Sequence, residues 1–239
     1  MFKDPTVRLA AIGQAVKKYH PGFKAWQHCY RKLLKQHTLK KVVLDAGCGK
    51  GGIIAEFKNQ TKQIIGLDDD ASLLRDNTVV DEKIVSKLDK IPLINNIIDT
   101  AVATFVIEHV ASPDKMFKEI FRILKPDGKF IFITTNLFNP IMAVSRILPY
   151  SLHKLLRKKL LHKSGEGTYK TYYQANSYHS LAKLANQVGF KKINILRVGN
   201  PEYLAFHPLT IPLAVYFEKL IDNKYLDFSK MYLIGFCQK

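Results

Sequence analysis

Short apolar runs alternate with amphipathic stretches through the middle of the chain. Lys41–Ala46 (KVVLDA) is rich in β-branched residues and ends in a glycine cluster, the pattern of a buried strand followed by a tight turn. Gln63–Leu67, Glu82–Val85, Asp99–Val106 and Gly128–Thr134 repeat the strand pattern. Helices are expected between them at Gly52–Asn59, Ala71–Asp76 and Pro113–Leu124. In the last of these, Ser112 precedes Pro113 as N-cap and first helical residue. Met116, Phe117, Ile120, Ile123 and Leu124 then recur at helical spacing. After residue 137 the pattern changes. Asn139–Lys163 reads as one or two basic helices, Gly165–Tyr173 as a loop, and Ser177–Val188 as a helix stopped by Gly189. Phe190–Val198 and Lys230–Cys237 are strand-like, and proline interrupts the partly helical stretch Asn200–Asp227.

Strand and helix alternating in this way predict parallel βαβ units with helices on both faces of one sheet. The expected fold is α/β, a doubly wound, Rossmann-like sheet of seven mostly parallel strands with an antiparallel last strand. Residues 1–40 form a helical N-terminal extension, and 41–239 the main domain. Residues 137–175 and 200–228 are expected to be insertions on one side of that domain.

Charge sharpens this division. The 239 residues carry 37 Lys+Arg against 20 Asp+Glu, a net +17. Residues 1–40 hold +8, residues 41–136 hold −1 and residues 137–239 hold +10. A balanced centre with basic flanks suggests an anionic partner for the flanks; lysines on solvated helix faces give the same count. The three cysteines, Cys29, Cys48 and Cys237, have neither disulfide-scaffold nor zinc-ligand spacing. That suits a reducing compartment. No signal-peptide core is present, and the longest apolar stretches fall short of the ~20 residues of a membrane helix. A cytoplasmic protein without a metal site is expected.

Asp45-Ala-Gly47-Cys48-Gly49-Lys-Gly51-Gly52 joins the first strand to the next helix. Gly47, Gly49 and Gly52 fit the dinucleotide pattern, and Asp68 stands 21 residues past Gly47, where a ribose-binding acid is expected. Asp45 argues against a dinucleotide, because a carboxylate there faces the pyrophosphate as a like charge. A phosphate-free ligand with cationic groups and a ribose diol tolerates it. S-adenosylmethionine (SAM) has this chemistry.

The motifs Val43–Gly51, Gly66-Leu67-Asp68, Ile91-Pro92-Leu93, Val106-Ile107-Glu108-His109-Val110 and Ile120–Gly128 occur in an order that resembles class I SAM-dependent methyltransferases. The subgroup resembled is type 11, which includes quinone-biosynthesis enzymes and methylates many unlike acceptors. The resemblance spans residues 41–136, with a looser echo over 177–198. It implies that Asp45, Gly47, Cys48 and Gly49 line the methionine end of SAM. Asp68 would hold the ribose hydroxyls with Asp69 beside it. Lys87 and Leu88 stand where the family places an acid and a small residue near adenine. The acid is absent, leaving Leu88 to offer its backbone N–H. Phe105 to His109 would border the meeting point of donor and acceptor.

Methyl transfer from a sulfonium is an in-line displacement of an already activated group. The protein's part is to align the acceptor in a dry pocket. An acceptor that holds its proton needs a base as well. His109 beside Glu108 is the candidate base; alternatively the pair orients its loop. Tyr172, Tyr173 and His179 are a candidate second wall, or aromatics packing the insertion. The acceptor expected is a small or lipid-like, possibly anionic, metabolite. Ser151–Lys163 has a leucine stripe among basic residues that suits a membrane surface or covers the domain. An RNA methyltransferase using the basic flanks is the alternative. It ranks second, for no RNA-module signature is present and Asn136 lacks the Pro-Pro-Tyr-like context of nucleic-acid amino-group methylases. A SAM-binding scaffold without catalysis is the third reading.

Overall fold

The computed structural model describes residues 4–147 and 169–239. The expected basic helix over 151–163 lies outside them, as do residues 165–168 of the Gly165–Tyr173 loop. Seven strands form one sheet: β1 Val42–Ala46, β2 Gln63–Asp68, β3 Glu82–Val85, β4 Ile98–Thr104, β5 Leu124–Thr135, β6 Asn194–Val198 and β7 Tyr232–Gln238. Their order is β3-β2-β1-β4-β5-β7-β6. Strands β1 to β5 pair in parallel. Strand β7 runs against β5, with Asn136 N–H donating to the Met231 carbonyl at one end and Lys239 N–H to the Gly128 carbonyl at the other. The expected fold class is the one observed.

The helices are α1 Pro5–Tyr19, α2 Trp26–Thr38, α3 Ala71–Asp76, α4 Pro113–Ile123, α5 Pro140–Ile147, α6 Tyr178–Val188 and α7 Ile211–Ile221. Two differences from expectation have local causes. The segment after the glycine loop, Ile53–Gln60, is a 3₁₀ helix whose N-cap, Gly52, provides no side-chain cap. Two β-branched isoleucines at an uncapped start favour the tighter turn over an α-helical nucleus. Strand β6 begins at Asn194, because Phe190 turns inward to pack edge-on against Phe121 at 5.1 Å.

The chain divides into two compact units. One comprises residues 27–135, 171–196 and 233–239; the other comprises 1–26, 136–170 and 197–232. The expected extension 1–40 is thus shared, α1 falling in the second unit and nearly all of α2 in the first.

In the first unit, β1 and β4 contribute Val43, Leu44, Ala101 and Val102, all fully buried. Parallel strands covered on both faces require such runs. Helix α4 lays Met116, Phe117, Ile120 and Ile123 on the sheet. Phe117 meets Phe130 edge-to-face at 5.3 Å, and burying such a side chain contributes roughly 2–3 kcal/mol. Gly235 of β7 lies against the Phe132 ring, where a Cβ would come within 2.0 Å. The edge strand β3 exposes Glu82 and Lys83, charges that discourage strand addition.

In the second unit, α1 starts at the Asp4 cap and packs on α7 through Ile12, Ala205, Ile211 and Ala214. Glu218 of α7 is buried there, its Oε1 accepting the Asn200 N–H at 3.0 Å. No helix among the described residues is long and apolar enough to cross a membrane.

Candidate active site

The site sits in the first unit, at the carboxyl ends of β1, β2 and β4. There the strand order reverses between β1 and β4, and open α/β sheets bind ligands at such a crevice. Strand β1 delivers Asp45 to its end and then turns sharply. Gly47, Gly49 and Gly51 have φ of +74°, +48° and +104°. Gly47 meets a second demand: a Cβ there would stand 2.5 Å from Val106 Cγ2. Only glycine meets both the backbone angle and the space.

The turn is tied down from two sides. Gly47 and Cys48 donate backbone N–H groups to the Leu67 carbonyl at 2.7 and 3.2 Å. Asp68, at the end of β2, accepts the Gly49 N–H on Oδ2 at 2.8 Å and the Asp70 N–H on Oδ1 at 3.0 Å. From behind, the buried Asn77 amide donates to the Gly49 carbonyl at 2.9 Å. Asp70 caps α3, and Asp69 is exposed beside Asp68.

Asp45 is 4% exposed, and among the described residues no protein group donates a hydrogen bond to its carboxylate. Burial, with Asp68 adding a like charge, pushes its pKa up to about 7. A buried carboxylate without a partner asks for a cationic one. Tyr30 of α2 is fully buried nearby, its hydroxyl 2.8 Å from Thr104 Oγ1. Burial raises the Tyr30 hydroxyl above its ordinary range, and Asp45 adds to the effect.

Cys48 points away from the crevice, packing on Gly66, where a Cβ would lie 2.9 Å from its sulfur. Burial pushes its thiol up to about 12, so its side chain is a packing group and not a nucleophile. Leu88, partly buried, leans on the apolar core, and Lys87 is exposed. Phe105 ends β4 with φ +57°. That angle is rare for a bulky residue and is characteristic of a constrained functional turn.

Glu108 and His109 follow in a short 3₁₀ turn, Ile107–His109. Glu108 is 4% exposed and accepts the Thr134 hydroxyl at 2.7 Å. Burial raises its pKa, opposed in part by the hydrogen bonds it accepts and by His109. Thr134 in turn accepts the Asn176 amide at 2.7 Å, while among the described residues Asn176 Oδ1 has no hydrogen-bond partner. Tyr172 and Tyr173 donate backbone N–H groups to the Glu108 carbonyl at 2.8 and 3.2 Å. The two expected walls therefore meet at Glu108. Tyr173 is itself strained, with φ +51°, and burial raises its hydroxyl's pKa. His179 is exposed on the first turn of α6. Asn136, in the other unit, donates its amide to the Phe228 and Lys230 carbonyls, both at 2.7 Å, so its side chain braces a loop. Asn77, Asn176 and Tyr30 escape sequence reasoning. Their roles depend on partners 28, 42 and 74 residues away.

Residues 44–132 match a family model described as a methyltransferase domain. A malonyl-[acyl-carrier protein] O-methyltransferase of Yersinia pestis is 28% identical over 55% of this chain and 51% of its own length. A demethylmenaquinone methyltransferase of Lactobacillus johnsonii is 27% identical over 73% of this chain and 77% of its own. The chain spans about half the length of the malonyl-[acyl-carrier protein] relatives it matches first. A SAM-dependent methyltransferase of Mesorhizobium loti shares the fold, with TM-score 0.60 at 18% identity over 88% of this chain and 96% of that one.

The crevice at the strand ends offers groups that fit SAM. The partnerless Asp45 carboxylate suits its ammonium. Asp68 keeps acceptor capacity for a ribose diol, since each carboxylate oxygen can take more than the one bond it has. The glycine backbone leaves room for close approach, for a Cβ at Gly49 would meet nothing nearer than Leu73 at 4.0 Å.

Proposed function

We propose that this chain transfers a methyl group from SAM to an O, N or C atom of a small or lipid-like metabolite by in-line displacement. The observation that carries the reading is Asp45, a buried carboxylate with no donor among the described residues, at the end of β1 beside a left-handed glycine turn. SAM, when bound, supplies a methyl group activated by a cationic sulfur. The chain's residues do the rest. Asp45 holds the ammonium, Gly47 and Gly49 let the backbone close on the methionine end, and Asp68 accepts the ribose hydroxyls with Asp69 flanking it. Leu88 backs the adenine with an apolar side chain and offers a backbone N–H where the family's acid is missing.

Phe105 and Val106 close the edge nearest the transferring methyl. His109 takes the acceptor's proton where the acceptor holds one, and Glu108 fixes the turn that presents it. Tyr172 and Tyr173 form the facing wall of the acceptor pocket. Relatives named for malonyl-[acyl-carrier protein] and for demethylmenaquinone support a small or lipid-like acceptor. The free cysteines among the described residues support a reducing, cytoplasmic setting.

RNA is the second reading, favoured by the net charge of +17. The structural use of the Asn136 side chain weighs against amino-group methylation of a base. Methyl-labelled SAM, incubated with lipid extract, small-molecule extract and RNA from the same cells, separates the two. Label in the lipid or small-molecule fraction is expected. Label confined to RNA selects the second reading. In the productive fraction His109→Ala should lower turnover at least about tenfold with SAM affinity unchanged; wild-type turnover would exclude His109 as base.

A further inference from the structure

Helix α7 is apolar on two opposite sides. One side is buried and carries Ile211, Ala214, Val215 and Ile221. The other exposes Leu213 at 69%, Tyr216 at 64% and Leu220 at 52%. At 3.6 residues per turn these three fall within about 60° of one another. Leu209, 79% exposed in the turn leading into the helix, and Tyr225, 74% exposed just beyond it, continue the apolar run. A surface helix is ordinarily polar on the side away from its core; one that is apolar all round is covered on both sides. Contiguous exposed side chains of this size mark an interaction surface.

We propose that this face of α7 docks on an anionic lipid bilayer. The mixture of leucine and tyrosine suits the boundary between acyl chains and headgroups, where an aromatic ring places its apolar body inward and its hydroxyl toward water. The acids close to the stripe are neutralised or hidden. Glu218, the only acid between residues 207 and 221, lies on the buried side. Asp222 pairs with Lys230, and Asp227 with Arg197 at 3.2 Å. The cations beside the stripe are outward: Lys219 and Lys224 are exposed, and Lys224 Nζ stands 4.9 Å from the Tyr225 ring centroid.

Net charge selects the occupant. A second copy of the chain brings another +17 to the face and is repelled, whereas anionic headgroups attract it. RNA meets the charge but leaves the leucines without a counterpart, since single strands are held by aromatic stacking and basic grooves. The apolar stripe lies on described residues, and none of the catalytic assignments enters it.

Flotation of the full chain with phosphatidylcholine vesicles, with and without about one third phosphatidylglycerol, tests this, with light scattering reporting the oligomeric state. The wild-type chain should float with the anionic vesicles and less so as salt rises. The pair Leu213→Asp and Tyr216→Asp should lower the bound fraction's partition coefficient at least about tenfold with an unchanged melting temperature, since both side chains are exposed. The milder pair Leu213→Ser and Tyr216→Ser serves if the first disturbs folding. No flotation of the wild type, or equal flotation of folded variants, overturns the proposal. A dimer dissolved by the same substitutions also overturns it, assigning the face to a second copy. Calorimetric uptake of S-adenosylhomocysteine by the same samples keeps the two readings separate. Its absence from the wild type faults the methyltransferase reading and leaves the flotation result standing.

Discussion

At the scale of the residue, the proposed choice of ligand turns on Asp45. Its carboxyl is buried, lacks a protein donor among the described residues and is raised to about 7 by desolvation and by Asp68. A cationic ligand group gains from the ionised form, so below pH 7 a proton competes with the ligand's ammonium. Affinity for S-adenosylhomocysteine should therefore rise between about pH 5.5 and 7 and then level off. Asp45→Asn should flatten that rise and weaken binding at pH 7.5 at least about tenfold. Calorimetric titration at several pH values measures both effects, and an unchanged slope in the variant would assign the titration to another group. Cys48 shows the opposite case within the same loop. Its side chain fills the space over Gly66, and only its backbone serves the turn.

At the scale of the element, three chain segments meet through one buried network. Glu108 after β4, Thr134 at the end of β5 and Asn176 before α6 are joined by two hydrogen bonds of 2.7 Å. Thr134→Val removes the hydroxyl and leaves Glu108 and Asn176 short of a partner, at a cost of about 1–3 kcal/mol. The melting temperature should fall, and transfer should fall with it because the His109 turn loses its anchor. Thr134→Ser should restore both. A stable, fully active Thr134→Val chain would show that the network does not position the turn. This network also marks the limit of what the sequence makes legible. The glycine turn, Asp68 and the strand ends are readable because their signals are local: backbone angles at Gly47 and Gly49, and the apolar runs that lead into them. Asn176, Asn77 and Tyr30 look like any polar or aromatic residues until folding brings their distant partners close. The 3₁₀ segment after Gly52 was masked by the usual helix that follows such a loop, and the late start of β6 by the inward turn of Phe190.

At the scale of the whole molecule, two buried carboxyls in different units give the free chain a common pH response. Glu218 is raised to about 7 by desolvation, with Asp222 adding to it against Lys230, and Asp45 reaches a similar value. The folded chain holds these protons where the unfolded chain has released them. Their stabilisation is fully present below the ordinary carboxylate range and is lost as pH rises toward 7. Glu218→Gln should remove its share, so the variant loses less melting temperature than the wild type between pH 5 and 8. Parallel curves would show that Glu218 does not hold its proton in the fold. Under the proposed function the crevice at the strand ends holds the methyl donor, and under the docking proposal the exposed face of α7 meets a lipid surface. All of this depends on the crevice taking a cationic sulfur nucleoside. Isothermal titration of the folded chain against S-adenosylhomocysteine, SAM and NAD at pH 7.5 tests that most directly. One-to-one uptake of the two sulfur nucleosides without uptake of NAD is the predicted result; uptake of NAD with neither of the others would contradict the account.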